Sequence, residues 1–330
     1  MRNFTHINAK TLDEAAAQLA KGKAVAMAGG TDLLGVMKFM VLPEYPRTVV
    51  NLKTIPDLSY IKEESGTLKI GALTLLEEIA QSDVVKSKYT ALAEAAHKTA
   101  SPHIREMGTI GGNICQLNRC WYFRKAENRF PCLRKGGQIC YAIAGENRYH
   151  SIFGLVKACA AVNPSDTAPA LVALNAKIVT TKRTIEAEKF WDVGTPGSTV
   201  LAADELVKEI QVPAPAAGVK SAFLKFALRS SIDFPIVNCA AAIGGGDARI
   251  CLNAVHNNPY RATKAEAAIK GKAIDMASAE AAGAAAVEGA VALPLNKWKI
   301  AVAKAQVKRA ILLCEPSGAF MQFKEAYECI

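Results

Sequence analysis

Five of the nine cysteines lie within residues 115–159, in a stretch rich in arginine and lysine. Four of the five are separated by 11, 7 and 18 intervening residues: Cys120, Cys132, Cys140 and Cys159. Four thiolates can hold an iron–sulfur cluster or a structural zinc ion, or they can pair as disulfides. These spacings are unlike those of compact zinc knuckles, which favours a cluster but leaves zinc open.

The composition is that of a globular protein with a substantial core, because 51% of the 330 residues are hydrophobic and 21% are charged. Residues 1–20 contain no apolar stretch typical of a secretory signal, and no uncharged apolar run approaches the roughly 18 residues of a membrane helix. We therefore expect a cytoplasmic protein without a membrane span. Disulfides are disfavoured in a reducing cytosol, so metal ligation becomes the preferred explanation of the clustered cysteines. The scattered thiols are interpreted as buried or incidental: Cys239, Cys251, Cys314 and Cys329.

The net charge of +10 is unevenly distributed along the chain. Residues 119–150 contain seven basic and two acidic side chains, a local excess of +5 and half of the total. No nucleic-acid-binding motif accompanies this excess, so we expect no nucleic-acid partner. A face that docks an acidic partner protein explains it better.

Two glycine pairs each follow an apolar stretch, in "AGGTDLL" (residues 28–34) and "TIGGN" (residues 109–113). A glycine pair lets backbone amides turn toward an anion because no Cβ is in the way. Two such segments could bind the two phosphates of a dinucleotide, although each alone is more often a tight turn. Neither fits the Rossmann or Walker glycine pattern.

The pattern of elements predicts an α+β chain. Helical spacing after Thr11 predicts one helix, residues 74–100 predict two more, and short β-branched runs predict strands. The segment "PAPAAG", residues 213–218, is typical of a linker. Beyond it we expect a three-stranded antiparallel sheet followed by two alanine-rich helices, near residues 262–291 and 296–314.

Together with "PSDTAP" (residues 164–169), the two glycine segments resemble the FAD-binding medium subunits of the molybdenum hydroxylase family, which includes xanthine and carbon monoxide dehydrogenases. The resemblance covers nearly the whole chain. It implies a two-subdomain FAD-binding fold of the vanillyl-alcohol-oxidase type plus a C-terminal α+β domain. The implied boundaries are residues 1–60 and 61–215 for the two subdomains, with an iron–sulfur insertion at about 115–160, and 219–330 for the C-terminal domain.

The same resemblance implies which residues bind FAD. The two glycine segments would hold its pyrophosphate, through Ala28, Gly29, Gly30, Thr31, Asp32 and Leu33 in the first and Thr109, Gly111 and Gly112 in the second. Asn113 and Asp166 would fix the ribose and phosphate end. Lys225 matches a basic position near the flavin or its phosphates.

The insertion with the four cysteines resembles a subgroup that carries an extra [4Fe-4S] cluster, including the flavin subunits of 4-hydroxybenzoyl-CoA reductase and of a bacterial aldehyde oxidoreductase. This implies an electron-transfer subunit that works with a molybdenum-cofactor large subunit and a [2Fe-2S] small subunit. An acidic redox partner such as ferredoxin would dock on the basic insertion. One alternative is a flavin oxidase or dehydrogenase that works without partner subunits. The other is a non-enzymatic binding module stabilised by a structural zinc ion.

Overall fold

A computed structural model describes residues 1–318 and residue 320, and strands within them form three separate sheets. The first sheet is parallel, with strand order β1-β3-β2. Its elements run β1 (Thr5–Asn8), α1 (Leu12–Ala20), β2 (Ala24–Met27), α2 (Leu33–Lys38) and β3 (Thr48–Asn51). Helix α1 begins as predicted, because the Thr11 side chain accepts a hydrogen bond from the Glu14 amide at 3.1 Å. The first glycine segment directly follows β2, at one end of the parallel sheet.

The second sheet is antiparallel and has five strands in the order β4-β5-β8-β6-β7. The strands are β4 (Ile61–Glu64), β5 (Thr67–Gly71), β6 (Lys177–Thr180), β7 (Thr184–Glu186) and β8 (Val207–Pro213). The helices between β5 and β6 are α3 (Leu76–Gln81), α4 (Asp83–Lys88), α5 (Thr90–His97), α6 (Pro102–Arg105), α7 (Ile110–Cys115), α8 (Trp121–Arg124), α9 (Tyr141–Ala144) and α10 (Thr167–Ala173). Residues 74–100 thus form three helices, where the sequence predicts two.

The second glycine segment is helical, whereas the sequence predicts a turn. Helix α7 contains both of its glycines, Gly111 and Gly112. Thr109 caps this helix by accepting a hydrogen bond from the Gly112 amide at 3.1 Å. Its two glycines would be unfavourable in an isolated helix, so packing against the core must supply much of its stability.

The cysteine-containing insertion is made of short helical pieces joined by irregular backbone. Besides α8 and α9 it has two 3₁₀ turns, Ala126–Asn128 and Leu133–Lys135. A small core of its own includes the buried Phe123 and Cys132, packed against Val36 of α2. The insertion is therefore packed against the helix that follows the first glycine segment.

The C-terminal part contains an antiparallel sheet of four strands, β9 (Lys220–Phe226), β10 (Val237–Gly244), β11 (Asp247–Asn253) and β12 (Tyr260–Arg261). The predicted sheet lacked β12, which is only two residues long. Three helices follow, α11 (Thr263–Ile269), α12 (Met276–Ala286) and α13 (Trp298–Leu313). The first predicted helix is divided because Gly271 has a φ of +70° and Asp275 caps a new helix by accepting from the Ser278 amide.

No helix in residues 1–318 is both long enough and apolar enough to cross a bilayer. Of the scattered cysteines, Cys239, Cys251 and Cys314 are buried, as expected. Cys329 lies outside the described residues.

Candidate functional site

A cavity of about 480 Å³ lies where the two glycine segments meet, and we call it the glycine cavity. Ten of the twelve residues predicted to bind FAD line it: Ala28, Gly29, Gly30, Thr31, Asp32, Leu33, Thr109, Gly112, Asn113 and Asp166. The other two, Gly111 and Lys225, lie outside its lining. The fold thus brings together residues from three distant parts of the sequence.

The first glycine segment presents free backbone donors to this cavity. A Cβ at Gly29 would lie 2.0 Å from the Met107 carbonyl oxygen, so only glycine permits the two segments to approach this closely. Gly30 has a φ of +74°, in the left-handed region. Within residues 1–318 and 320, the amides of Gly29, Gly30, Thr31 and Asp32 donate to no protein acceptor. Successive free amides of this kind form an anion-binding concavity.

In the second glycine segment, the backbone amides of both glycines already donate hydrogen bonds within the protein. The Gly111 amide donates to the Ala72 carbonyl at 2.9 Å, and a Cβ on Gly111 would lie 2.8 Å from the same oxygen. The Gly112 amide donates to the Thr109 side chain. Gly111 therefore serves to pack α7 against Ala72, and its amide is not free for the phosphate contact that the resemblance implies.

Asn113 connects the second glycine segment to the start of α10. Its side-chain oxygen accepts hydrogen bonds from the Ser165 hydroxyl at 2.5 Å and the Thr167 hydroxyl at 2.7 Å. All three side chains are buried. These bonds fix the position of Asp166, which lies between Ser165 and Thr167, at the wall of the cavity.

Lys225 does not line the cavity itself, but it contacts Asp166, which does. Its ammonium group lies 2.7 Å from one carboxylate oxygen of Asp166 and also donates to the Lys98 carbonyl at 2.8 Å. The other Asp166 oxygen accepts from the Asn238 side chain at 2.7 Å. Burial raises the pKa of the Asp166 carboxyl, and the attraction of Lys225 offsets part of that effect. Strands β9 and β10 of the C-terminal sheet thus hold a carboxyl group of the cavity wall in place.

Asp32 joins the first glycine segment to the cysteine insertion. One of its carboxylate oxygens lies 2.9 Å from Arg119 and 2.8 Å from Arg124. The other accepts from the Leu117 amide at 3.0 Å. Burial favours the neutral acid, but Arg124 and Arg119 outweigh it and lower the pKa of Asp32. Asp32 is therefore ionised at neutral pH and clamps the insertion to the loop after β2.

The sequence analysis missed Arg119, although it lines the glycine cavity. Its guanidinium carbon lies 4.3 Å from the centre of the Phe234 ring, which also lines that cavity. Burial lowers the pKa of Arg119 to about 10. A basic residue a few positions after the second glycine segment is the signal in the sequence that marks Arg119. The position of Phe234, by contrast, depends on how the C-terminal sheet packs.

The four predicted cysteines come together around one small cavity, which we call the cysteine cavity, lined by Cys120, Cys132, Cys140 and Cys159. The rest of its wall consists of the polar Asn118 and Arg134 and of aromatic and apolar side chains: Tyr122, Phe123, Leu133, Tyr141, Ala142 and Ala161. Burial raises the pKa of the Cys120 thiol to about 12 and also raises that of Cys132. In the part of the chain that the structure describes, no three histidine, cysteine or acidic side chains are arranged to hold a single metal ion. The thiols surround a space instead of meeting at one point.

Polar groups already contact two of these sulfurs. The Nε2 atom of His150 lies 3.2 Å from the Cys120 sulfur. The Ala161 amide donates to the Cys159 sulfur at 3.4 Å. Nothing in the sequence spacing marks His150, which lies 30 residues from Cys120. Contacts of this type are typical of the groups that surround metal-bound sulfur.

The basic side chains of the insertion are less exposed than the sequence suggests. Arg134 is buried and donates to the Ser198 hydroxyl at 2.7 Å, and the buried Lys135 ammonium donates to backbone carbonyls. Arg124 is held by Asp32. A docking face on the basic insertion requires exposed basic side chains. Of the five between residues 124 and 135, Lys125 and Arg129 are exposed, whereas Arg124, Arg134 and Lys135 are not and cannot contribute as expected.

Comparison with known proteins agrees with this architecture. The family model described as the FAD binding domain in molybdopterin dehydrogenase matches residues 2–215. The chain belongs to this family. A second model, the CO dehydrogenase flavoprotein C-terminal domain, matches residues 222–301 of this molybdopterin dehydrogenase flavoprotein. The family assignment confirms the predicted α+β fold, the oxidoreductase class and FAD as a cofactor.

Individual relatives extend over most of this flavoprotein. The aldehyde oxidoreductase FAD-binding subunit PaoB of Escherichia coli is 33% identical over 281 residues, which cover 81% of this chain and 86% of PaoB. The carbon monoxide dehydrogenase medium chain of Hydrogenophaga pseudoflava is 28% identical over 321 residues, covering 93% and 96% of the two chains. A solved structure of carbon monoxide dehydrogenase from the same organism matches with a TM-score of 0.73 at 29% identity, covering 94% of this chain and 96% of that chain.

The Asp32 clamp predicts a pH-dependent stability. We expect Asp32→Asn to lower the free energy of unfolding by about 1–3 kcal/mol at pH 7, because Arg119 and Arg124 lose a partner in a largely buried setting. The pKa of Asp32 is lower folded than unfolded, so this stabilisation is present above about pH 4 and is lost as the pH falls through the folded value. Urea unfolding with equal excess FAD should show a gap between wild type and variant that shrinks from pH 7 to pH 3.

Asp204→Asn is the matched control, since Asp204 pairs with Lys182 at the surface. That substitution should change the unfolding free energy little at pH 7. A gap between wild type and Asp32→Asn that stays constant with pH would contradict the assignment of an ionised clamp.

Proposed function

We propose that the chain is the FAD-binding electron-transfer subunit of a heteromeric molybdenum hydroxylase and that it also holds a [4Fe-4S] cluster. The observation that carries the proposal is the pair of neighbouring cavities. One is lined by free glycine-segment amides and the other by four cysteines, and the consecutive residues Arg119 and Cys120 line one each. An adjoining cavity of about 270 Å³ is lined by both residues.

The glycine cavity has the chemistry that FAD requires. The free amides of Gly29, Gly30, Thr31 and Asp32 would bind the pyrophosphate, and Arg119 would supply positive charge beside it. Thr109, Gly112, Asn113 and Asp166 would line the opposite side. FAD supplies the exchange of two electrons between a donor and an acceptor. The chain's own part is to bind and orient it and to limit its contact with water.

The cysteine cavity has the chemistry that an iron–sulfur cluster requires. Each thiolate of a [4Fe-4S] cluster binds a different iron atom, so four sulfurs around a space fit it better than sulfurs converging on one ion. The buried cations Arg134 and Lys135 lie beside the cavity and would offset the negative charge of the thiolates. The cluster supplies one-electron transfer, which redox-inert zinc cannot do. Zinc would leave the adjacent flavin without an electron-transfer partner in this chain.

The relatives support the proposed partners. They are described as FAD-binding subunits or medium chains of dehydrogenases. We infer that a molybdenum-cofactor large subunit carries out the substrate chemistry and that a [2Fe-2S] small subunit relays electrons to this FAD. The exposed Lys125 and Arg129 remain available to steer an acidic redox partner such as ferredoxin toward the insertion.

The first prediction of the proposed function concerns FAD binding. Alanine at Gly30 would strain a left-handed backbone beside the free amides, and its Cβ would lie 3.3 Å from Leu34. We expect Gly30→Ala to weaken FAD binding by about tenfold, a loss of roughly 1.4 kcal/mol measurable by flavin titration of the stripped protein. Gly22→Ala is the control, because Gly22 has the same backbone conformation (φ of +75°) but lies outside the cavity. Equal affinities in the two variants would contradict the assignment.

The second prediction concerns the cluster. Anaerobically purified chain should contain FAD and about four irons, with an electron paramagnetic resonance signal on reduction. Cys140→Ser should lose this signal and the iron while keeping FAD, because the glycine cavity lies outside the cysteine set. Cys115→Ser should keep the iron, since Cys115 lines the glycine cavity instead. Full iron in Cys140→Ser, or zinc in the wild type, would refute the cluster.

The third prediction separates this proposal from a self-sufficient flavin enzyme. The isolated chain should oxidise no aldehyde, purine or aromatic thioester substrate, although its chemically reduced flavin should reduce artificial acceptors. Addition of the molybdenum and [2Fe-2S] subunits should establish turnover. Steady-state oxidation of such a substrate by this chain alone would favour the self-sufficient enzyme.

A further inference from the structure

His150 is a buried side chain whose hydrogen bond is directed at one of the four cysteines. Its Nε2 atom lies 3.2 Å from the Cys120 sulfur, while Nδ1 makes no hydrogen bond of good geometry within the described residues, although the Asn147 backbone lies close to the ring. A proton on Nδ1 would be a buried donor with at best a poorly aligned acceptor. A proton on Nε2 donates to sulfur and leaves only an unused acceptor. The second arrangement is favoured, and a metal-bound thiolate is a better acceptor than a free thiol.

The backbone at His150 is held by the C-terminal domain. Its carbonyl oxygen accepts from the Lys299 ammonium at 2.9 Å and from the Asn296 side chain at 3.1 Å. Asn296 lies just before α13 and Lys299 lies in its first turn. Lys299 also donates to the Ala254 carbonyl at 2.8 Å. This arrangement fixes the imidazole relative to Cys120 from a different domain.

Lys299 holds the loop at His150 from a buried position. Its side chain is fully buried. Its hydrogen bonds go to neutral carbonyl oxygens, of Ala254 just after β11 and of Tyr149 and His150 in the insertion. Burial lowers the pKa of Lys299 to about 7, so loss of a proton limits the cost of burying its charge. Its hydrogen bonds to three carbonyl oxygens fix the segment that carries His150.

We propose that His150 is a positioning and tuning residue that raises the reduction potential of the cluster by donating a hydrogen bond to the Cys120 thiolate, with Lys299 and Asn296 as its clamp. This inference rests on the proposed [4Fe-4S] site. A donor at a ligating sulfur withdraws electron density and stabilises the cluster more after it has gained an electron, which raises the potential. One electron enters, no bond forms or breaks, and His150 keeps its proton.

The location gives this hydrogen bond a consequence for electron transfer. Cys120 follows Arg119, which lines the glycine cavity, so Cys120 is the cysteine linked to that cavity by the adjoining 270 Å³ space. A cluster held here would therefore receive the hydrogen bond at the cysteine that lies next to the glycine cavity. A higher cluster potential favours electron flow from the flavin to the cluster.

The test measures potentials and not turnover. In the complete complex, purified anaerobically, we expect His150→Leu to shift the cluster midpoint potential downward in a titration followed by electron paramagnetic resonance. His150→Gln retains an N–H donor and should restore part of the shift. The FAD midpoint should stay within error of wild type in both. Full iron in His150→Leu with an unchanged cluster potential would overturn the inference.

A second measurement covers the case in which His150→Leu loses its cluster. In the wild-type complex, hyperfine spectroscopy of the reduced cluster should detect a proton that exchanges in D2O and couples to ring nitrogen in ¹⁵N-histidine-labelled protein. Absence of that coupling would overturn the inference even if the cluster is intact. Absence of iron from the wild type would instead refute the cluster itself, so the two failures are distinguishable.

Discussion

The carboxylate of Asp32 is the contact on which the arrangement of both cavities depends. It lies at the end of the free-amide segment and binds two arginines and one amide of the cysteine insertion. A carboxylate so close to a phosphate site would repel the ligand if its charge were not compensated. The two arginines provide that compensation, and their backbone carries the chain from the glycine cavity to the cysteine cavity. The ion pairs of Asp32 therefore compensate its charge at the glycine cavity and also fix the position of the cysteine cavity.

Buried positive charge is the second constraint on the molecule. Arg134 and Lys135 are both inside the protein, and they donate to hydroxyl and carbonyl oxygens. Burying a cation among neutral oxygens costs folding free energy unless a negative charge lies nearby. Arg134 and Lys135 lie beside the thiols, so thiolates holding a cluster would supply that charge. The basic excess of the insertion is thus partly an internal feature, and only part of it faces solvent.

Local signals in the sequence were sufficient for much of the fold. Thr11 caps its helix as predicted, the first glycine segment follows a strand as predicted, and the four cysteines line one cavity. The failures have tertiary causes. Helix α7 contains two glycines and forms because packing against Ala72 overrides their low helix propensity. The two-residue strand β12 is too short to leave a periodic pattern. Lys225, Arg119 and His150 take their roles from contacts with residues that lie 59, 87 and 30 positions away in the chain, and no single-sequence pattern encodes such contacts.

The glycine cavity is lined mainly by residues from four stretches, 25–36, 99–119, 164–166 and 232–234, with Leu42, Leu76 and Pro196 in addition. It therefore does not exist until all three sheets have come together, and a chain still folding cannot capture the cofactor at full strength. Binding to the completed cavity then adds its free energy to the native state alone. The C-terminal sheet already packs into the same hydrophobic core as the second sheet, through Phe223, Ala240 and Cys251. A bound cofactor would therefore reinforce an existing contact, and an apoprotein would keep its C-terminal sheet docked while losing only the stability that binding adds.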